Sequence, residues 1–460
     1  GNLALTDGNL ALTDGNLVLT NGGLKAGLAD NYAWNNYGQI ISGIYESDNS
    51  VGFGVRVDMD ASGLTVVAGA YAENTSELNG EGVAYVYKYD SNADMWYQYG
   101  SKIEFGAGCV GLSISSDGTI VAIAGNNGPA SGETYGRVRV YQYNSSNNTW
   151  EDYGTNQSIM EGQTSGEKVG QRGFGASKDG NTVAFTERSG TNSIRVFRIV
   201  NGAWTQIGTF ESSNYANSSL NYDGSRIVFI GFTTQTALVY DYSGSGTTWT
   251  QVGTTITHSG SNDPDSYTAI NKEGNVIALQ EHTNQTVAIY NFDTASNDWV
   301  QKGQTFTDSE GSGGLFGQAP MRFSSDGNKI AITNANNGSM YLYTYVHPFW
   351  EQSNQFVGTY TSTNFTISVG VDDNITKIVG GGYAGDLNGT DSGYVQAWQW
   401  SQKTYSNPAL DVSGRTVRVW GNAEHSASNY TYNQLGSTLT GASSGIQFGK
   451  SMDMDSTGTI

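Results

Sequence analysis

The residue types that usually carry chemistry are thinly and irregularly placed along this chain. Four histidines, His258, His282, His347 and His425, lie far apart, and none has the spacing of a metal-ligand pair. Neither a G-x-S-x-G nucleophile turn nor an H-E-x-x-H helix occurs. The neighbouring carboxylates Asp372 and Asp373 fall at a turn, where solvation accounts for them. Cys109 is the single cysteine, which excludes an internal disulfide framework and reads as a small buried apolar residue. Chemistry, if present, must come from residues that a repeated scaffold brings together.

That scaffold is legible in the tryptophans. Trp34, Trp96, Trp150, Trp204, Trp249, Trp299 and Trp350 recur at steps of 62, 54, 54, 45, 50 and 51 residues. Most open the same phrase: WYQYGSKI, WTQIGTF, WTQVGTTI, WVQKGQTF. A period of this length with strand-like content marks a radial or stacked repeat. Each period contains four strand-like pieces. The first ends at a polar turn, as in SSDG (115–118), SKDG (177–180), NYDG (221–224), NKEG (271–274) and SSDG (324–327). We expect the Asp-Gly pair to supply the positive φ of a two-residue hairpin there. The second is continuously apolar, as in TIVAIAG (119–125), and so is expected to be buried on both faces. The third alternates, as in RVRVYQY (137–143), and the tryptophan strand is the fourth.

Four antiparallel strands per repeat make a β-propeller blade. First strands are expected near residues 51, 108, 172, 216, 266, 317 and 365, which gives seven blades. The strand at Trp34 precedes them all, and the last unit has no tryptophan strand after 393–400. The N-terminal strand is therefore expected to complete the last blade. The fold class is all-β: a seven-bladed propeller of four-stranded antiparallel blades over residues 33–402, closed by an N-terminal outer strand.

The flanks read differently. GNLALTD, GNLALTD and GNLVLTN (1–21) repeat every seven residues, but the leucines are two apart, a strand spacing and not a heptad seam. Residues 1–32 are read as a short fibrous β-stalk and 403–420, around SNPALDVSG, as a stalk-like linker. Residues 421–460 repeat the opening motif at an offset of 395, Phe448 and Asp453 matching Phe53 and Asp58, and read as the start of a second, truncated propeller. We expect the chain to be a segment of a longer tandem protein.

Charge narrows the partners. With 22 Lys and Arg against 42 Asp and Glu, the net charge is −20. A nucleic-acid surface must neutralise phosphates, and an anionic bilayer attracts a basic patch; neither suits this balance. No apolar run reaches the length of a membrane span, so no membrane insertion is expected. Arginine is scarce, and Arg137, Arg139, Arg195 and Arg198 fall on third strands, away from the axis where a sialidase-type propeller would need them. The inner strands offer Gly, Ser, Ala and Val, so the axial channel is expected to hold water, with no catalytic residues, no cofactor and no metal.

The sentence S-x-D-G, V-A-x-x-G, G-x-V-x-V-Y, W-x-Q-x-G, F-G resembles the FG-GAP-type propeller repeats of extracellular, integrin-like proteins, over roughly residues 33–402. That family often binds calcium in a D-x-[DN]-x-D-G-x-x-D hairpin. Here only Asp58, Asp60 and Ser62 approach it, and Val66 stands where the last carboxylate belongs, so calcium is not carried over. The flanking G-N-L-x-L-T and N-P-A-L-D-V-S-G segments resemble stalk elements of viral fibre and tail-fibre proteins. Loops joining second to third strands share one face of a propeller. Tyr71, Tyr135, Tyr383, Asp386 and Asp391 lie on the longest of them, where tyrosine and carboxylate suit a surface glycan or host receptor. The expected function is a non-enzymatic extracellular fibre or adhesion protein on a virion surface, self-associating through its stalk segments. A secreted adhesin or filament of a marine microbe is second, and a carbohydrate-active propeller enzyme third.

Overall fold

The fold rests on a computed structural model, which describes residues 32–43, 52–73, 81–125, 135–162, 166–170, 173–187, 193–211, 215–231, 236–257, 266–281, 285–307, 320–334, 338–358, 365–385, 387–388, 392–402, 410–413, 416–421, 433–434 and 439–440. Seven antiparallel four-stranded sheets run through residues 34–400. Their inner strands are Arg56–Met59, Cys109–Ile114, Phe174–Ala176, Tyr215–Leu220, Thr268–Ile270, Arg322–Phe323 and Phe365–Val371. We number the blades one to seven in that order. The apolar second strands are buried on both faces as expected; every residue of Ile120–Gly125 is buried. Core clusters form between blades, as where Val228 and Val239 of blade four meet Ile277, Leu279 and Trp299 of blade five. Each such aliphatic side chain contributes about 1.5–3 kcal/mol on burial.

Ring closure follows the sequence expectation. Tyr32–Asn36 lies beside Tyr394–Gln402, the third strand of blade seven. Ile41 and Ser42 continue that pairing opposite Val395 and Tyr394, and the Tyr37 amide donates to the Ala397 carbonyl at 2.9 Å. The joint between blades seven and one is backbone against backbone. A Cβ on Gly381 would stand 1.9 Å from the Gly54 carbonyl oxygen, so position 381 of KIVGGG (377–382) cannot carry a side chain.

The tryptophans register one blade on the next. The indole N–H of Trp96, Trp150, Trp204, Trp249, Trp299 and Trp350 donates to the carbonyl of Tyr37, Tyr99, Tyr153, Ile207, Val252 and Lys302, at 2.7–3.0 Å. Each acceptor lies three residues after the tryptophan of the preceding blade. The next residue is glycine in all six cases, and the indole rests on it. At Gly100 the backbone is at φ +81°, and a Cβ would approach the Trp150 indole nitrogen to 2.7 Å. Blade six departs from the pattern, with Asn354 in the glycine's place; there Trp34 sets its ring edge-on to Phe356, centroids 4.9 Å apart.

The inner turns are wider than the two-residue hairpins expected. In blade two Ser115 pairs with Ile120, leaving four residues in the loop, and Gly118 adopts φ +72°. The same five-residue step joins Asp60 to Thr65, Ser177 to Thr182, Asn221 to Arg226, Asn271 to Val276, Ser324 to Lys329 and Asp372 to Lys377. In all seven, the first residue's side-chain oxygen accepts the N–H five residues on. This short polar cap holds the wider loop without a primed turn.

Residues 410–413 and 416–421 form a separate antiparallel hairpin, and 416–421 also pairs with 433–434 and 439–440. The stalk reading of residues 1–31 lies outside the described residues, as does most of 421–460.

Candidate functional site

The inner turns also tie neighbouring blades together beside the axial channel. At five of the seven joints, the residue after the capping one meets its counterpart in the next blade. The Ala61 amide donates to the Ser116 carbonyl, Ser116 to Lys178, Asp179 to Tyr222, Tyr222 to Lys272, Ser325 to Asp373, and Asp373 to Ala61, at 2.7–3.2 Å. Between blades five and six, the Asn271 side-chain amide donates to the Ser325 carbonyl at 3.2 Å. All seven joints are thus tied into one belt.

Above it, two cavities adjoin along the axis. The lower, about 130 Å³, is lined by Lys178, Tyr222, Lys272, Asp372 and Asp373 near the belt, with apolar walls that include Leu220, Ile270 and Phe323. The upper, about 60 Å³, is lined by Arg56, Asn217, Ser219, Tyr267, Thr268, Arg322 and Ser368 among others, and no carboxylate is among its described lining residues. Leu112, Phe174, Ser219 and Arg322 border both and form the waist. The channel wall therefore carries converging charge, which the Gly, Ser, Ala and Val of the inner strands did not lead one to expect. Two of its arginines sit on inner strands, at positions where most blades have small or apolar residues.

The charges are arranged around Asp58, which is fully buried. Its Oδ2 accepts from Ser113 Oγ at 2.8 Å, from the Ile114 amide at 3.0 Å and from Lys178 Nζ at 2.6 Å. Its Oδ1 faces Arg322 Nε at 3.5 Å and has no hydrogen-bond partner among the described residues. Burial pushes the Asp58 carboxyl up, but the charges of Lys178 and Arg322 and the bonds from Lys178 and Ile114 outweigh it and hold the group below its ordinary value. Lys178 also donates to the Met59 and Ile114 carbonyls. Lower down, Lys272 meets Asp373 at 3.2 Å and lies 4.6 Å over the Tyr222 ring. Arg56 donates to the carbonyls of Val110 and Val55.

The sequence-based candidates fare unevenly. Asp58 is an ion-pair centre and Asp60 a turn cap, interchangeable in role with Ser115 or Asn221 of other blades; neither joins a metal cage. Among the described residues no group of three or more His, Cys, Asp or Glu side chains is placed to hold a metal ion. Tyr71, 39 % exposed, and Tyr383, half-buried, flank Gly52 together. Tyr135 is half-buried, and its carbonyl accepts from the Val169 amide at 2.9 Å. Asp386 and Asp391 lie outside the described residues, as do His258, His282 and His425. Arg139 and Arg195 pair with Glu161 and Glu187 on outer parts of their blades, as the third-strand placement implied. Sequence reasoning missed Arg56, Lys178, Lys272 and Arg322. For the two lysines the signal was the variable x of the S-x-D-G turn, which is Ala, Ser, Lys, Tyr, Lys, Ser and Asp around the ring; the two arginines lie on inner strands.

No protein-family model matches the chain, and no curated protein matches it. Solved structures do. The periplasmic gluconolactonase of Pseudomonas aeruginosa superposes with a TM-score of 0.50 at 13 % identity, covering 82 % of this chain and 96 % of that one. A protein from Lactobacillus plantarum gives a TM-score of 0.50 at 13 % identity, covering 81 % and 95 %. At this identity the likeness carries the fold and no activity. It nevertheless corrects the expectation of a non-enzymatic fibre or adhesion protein. That reading, and the exclusion of an enzyme with it, took the architecture as a display module with an inert axis. The same architecture serves a gluconolactonase, and the axis here is lined by cations. Residues 34–400 form a seven-bladed β-propeller whose axial channel carries converging charge.

Proposed function

We propose that the axial channel is a small-molecule site for a compact, hydroxyl-rich anion or its lactone, the sugar-acid class, and that the chain acts there as a carbohydrate lactone hydrolase. The observation that carries this reading is the upper cavity: Arg56 and Arg322, with Asn217, Ser219, Thr268 and Ser368, and no carboxylate among its described lining residues. In a chain of net charge −20, two guanidinium groups on one small cavity select an anion by position. Guanidinium pairs a carboxylate through parallel N–H bonds, and hydroxyl and amide side chains suit sugar hydroxyls. The same donors would stabilise the negative charge that develops on a lactone oxygen as water adds to its carbonyl carbon. The ring C–O bond then breaks, the ring oxygen leaves as a hydroxyl, and the carboxylate product releases one proton to water. The name of the Pseudomonas protein agrees with this chemistry and is support for it only.

Kinship with FG-GAP-type repeats is part of the same proposal and rests on the S-x-D-G turns and W-x-Q-x-G strands. It makes no demand for calcium, since Ser and Asn replace carboxylate at the capping position in five of the seven turns.

The test is proton release from glucono-1,5-lactone in weakly buffered solution, with calorimetric titration of gluconate. The wild-type protein is expected to accelerate release above the spontaneous rate. Arg322→Gln should weaken gluconate by about tenfold or more, the scale of a lost charge-assisted hydrogen bond. No acceleration together with no gluconate binding at millimolar concentration overturns the reading.

A further inference from the structure

The waist residue Arg322 is held by a side chain that borders neither cavity. Arg322 stands on the two-residue inner strand Arg322–Phe323, so the sheet itself fixes it weakly. Its Nη1 donates to the neighbouring Met321 carbonyl at 3.2 Å. The anchor beyond that comes from Asp58, two blades away on blade one. We propose that Asp58 is a positioning residue for Arg322: its buried carboxylate sets the guanidinium at the waist, so that anion recognition depends on a group the ligand never touches. This rests on the reading of the upper cavity as an anion site.

The division of labour between the two carboxylate oxygens supports the assignment. Oδ2 is saturated by a hydroxyl, an amide and the Lys178 ammonium, which reaches in from blade three. Among the described residues, Oδ1 has Arg322 as its cationic neighbour, at ion-pair distance and without a hydrogen bond. Such a contact holds the guanidinium by charge on its Nε side, while Nη1 donates to the Met321 carbonyl. A buried acceptor without a bond is costly, and a purely structural carboxylate would be expected to fill both oxygens. Lys178 and Arg322 also compete for the same charge, so the two partners have opposite effects. Removing the carboxylate's charge frees Arg322, whereas removing Lys178 gives Arg322 a larger share of it.

The experiment follows the Arg322 Nε–H resonance in arginine-labelled protein, assigned by its disappearance in Arg322→Lys. In Asp58→Asn the Nε–H proton should exchange with solvent about tenfold faster, and about tenfold more gluconate should be needed to shift the resonance, the scale of one charged interaction. In Lys178→Gln exchange should slow. A role confined to stability would lower the unfolding temperature of Asp58→Asn and leave exchange at Arg322 unchanged, which overturns the proposal. If Asp58→Asn does not fold, Lys178→Gln decides: slower exchange supports the positioning role, and unchanged exchange overturns it. Opposite shifts in the two variants with no response to gluconate in the wild type would keep the positioning role and overturn the anion-site reading instead.

Discussion

Asp58 links stability to pH in a direction that can be stated. Its carboxyl is held below its ordinary value, so in the folded state it stays ionised where an unfolded aspartate begins to protonate. The stability it contributes is fully present above the usual carboxylate range and is lost as pH falls through that range toward the depressed folded value. Asp58→Asn should therefore lower stability at pH 7 by on the order of 3 kcal/mol, the scale for breaking a buried ion pair, and flatten the acid limb of the stability curve. Urea unfolding at stepped pH measures both. Cys109 gives a second test at this scale. Burial pushes its thiol up to about 12, against the lowering effect of the Arg56 charge. It should not react with a thiol reagent in the native protein at pH 8 and should react fully once unfolded; ready native reaction would show that the joint between blades one and two opens.

Elements are registered by tryptophan on glycine. Gly100→Ala meets two penalties: a positive φ of +81° and a Cβ 2.7 Å from the Trp150 indole nitrogen. Gly202 has φ +78° with nothing within 4 Å, so Gly202→Ala meets only the first. The expected losses are roughly 1 kcal/mol at Gly202 and about 3 kcal/mol or more at Gly100, measured by urea unfolding. Equal losses would mean that the indole seat can shift, and that the W-x-x-x-G spacing is not what spaces the blades. Most of this was legible beforehand. Trp96, Trp150 and the glycine four residues after each tryptophan were visible as a repeated phrase. That the phrase joins neighbouring blades, through the carbonyl between them, was not visible, because the bond spans 42–59 residues.

At the scale of the whole molecule, the ring is closed by hydrogen bonds and side-chain packing between distant parts of the chain. Residues 32–42 pair with the third strand of blade seven, and Gln396 reaches Asn36 across 360 residues of chain. Deleting residues 1–43 should expose the edge of Tyr394–Gln402 and lower unfolding stability by at least the roughly 3 kcal/mol that loss of a packed aromatic costs, Trp34 leaving Phe356 uncovered. Amide exchange should accelerate first in blade seven. Uniform acceleration through all blades would instead show that the ring opens as one cooperative unit.

The sequence by itself determined the architecture. Tryptophan period, apolar second strands and S-x-D-G turns are local patterns, and a repeat copies local patterns faithfully enough to be counted. The N-terminal closing strand followed from the same count. The turn geometry was misjudged by two residues, because the side-chain cap from Ser115 and its counterparts competes with the Asp-Gly signal. The channel was decided only by tertiary structure. Arg56, Asp58, Lys178, Lys272 and Arg322 each occupy a different repeat or a different place in it, and each reads alone as an ordinary turn or strand residue. Radial symmetry points the same position of every blade at one axis, so residues 264 apart, such as Asp58 and Arg322, become neighbours at 3.5 Å. A charge's meaning here is set by what the other blades bring to that axis, which no single repeat records.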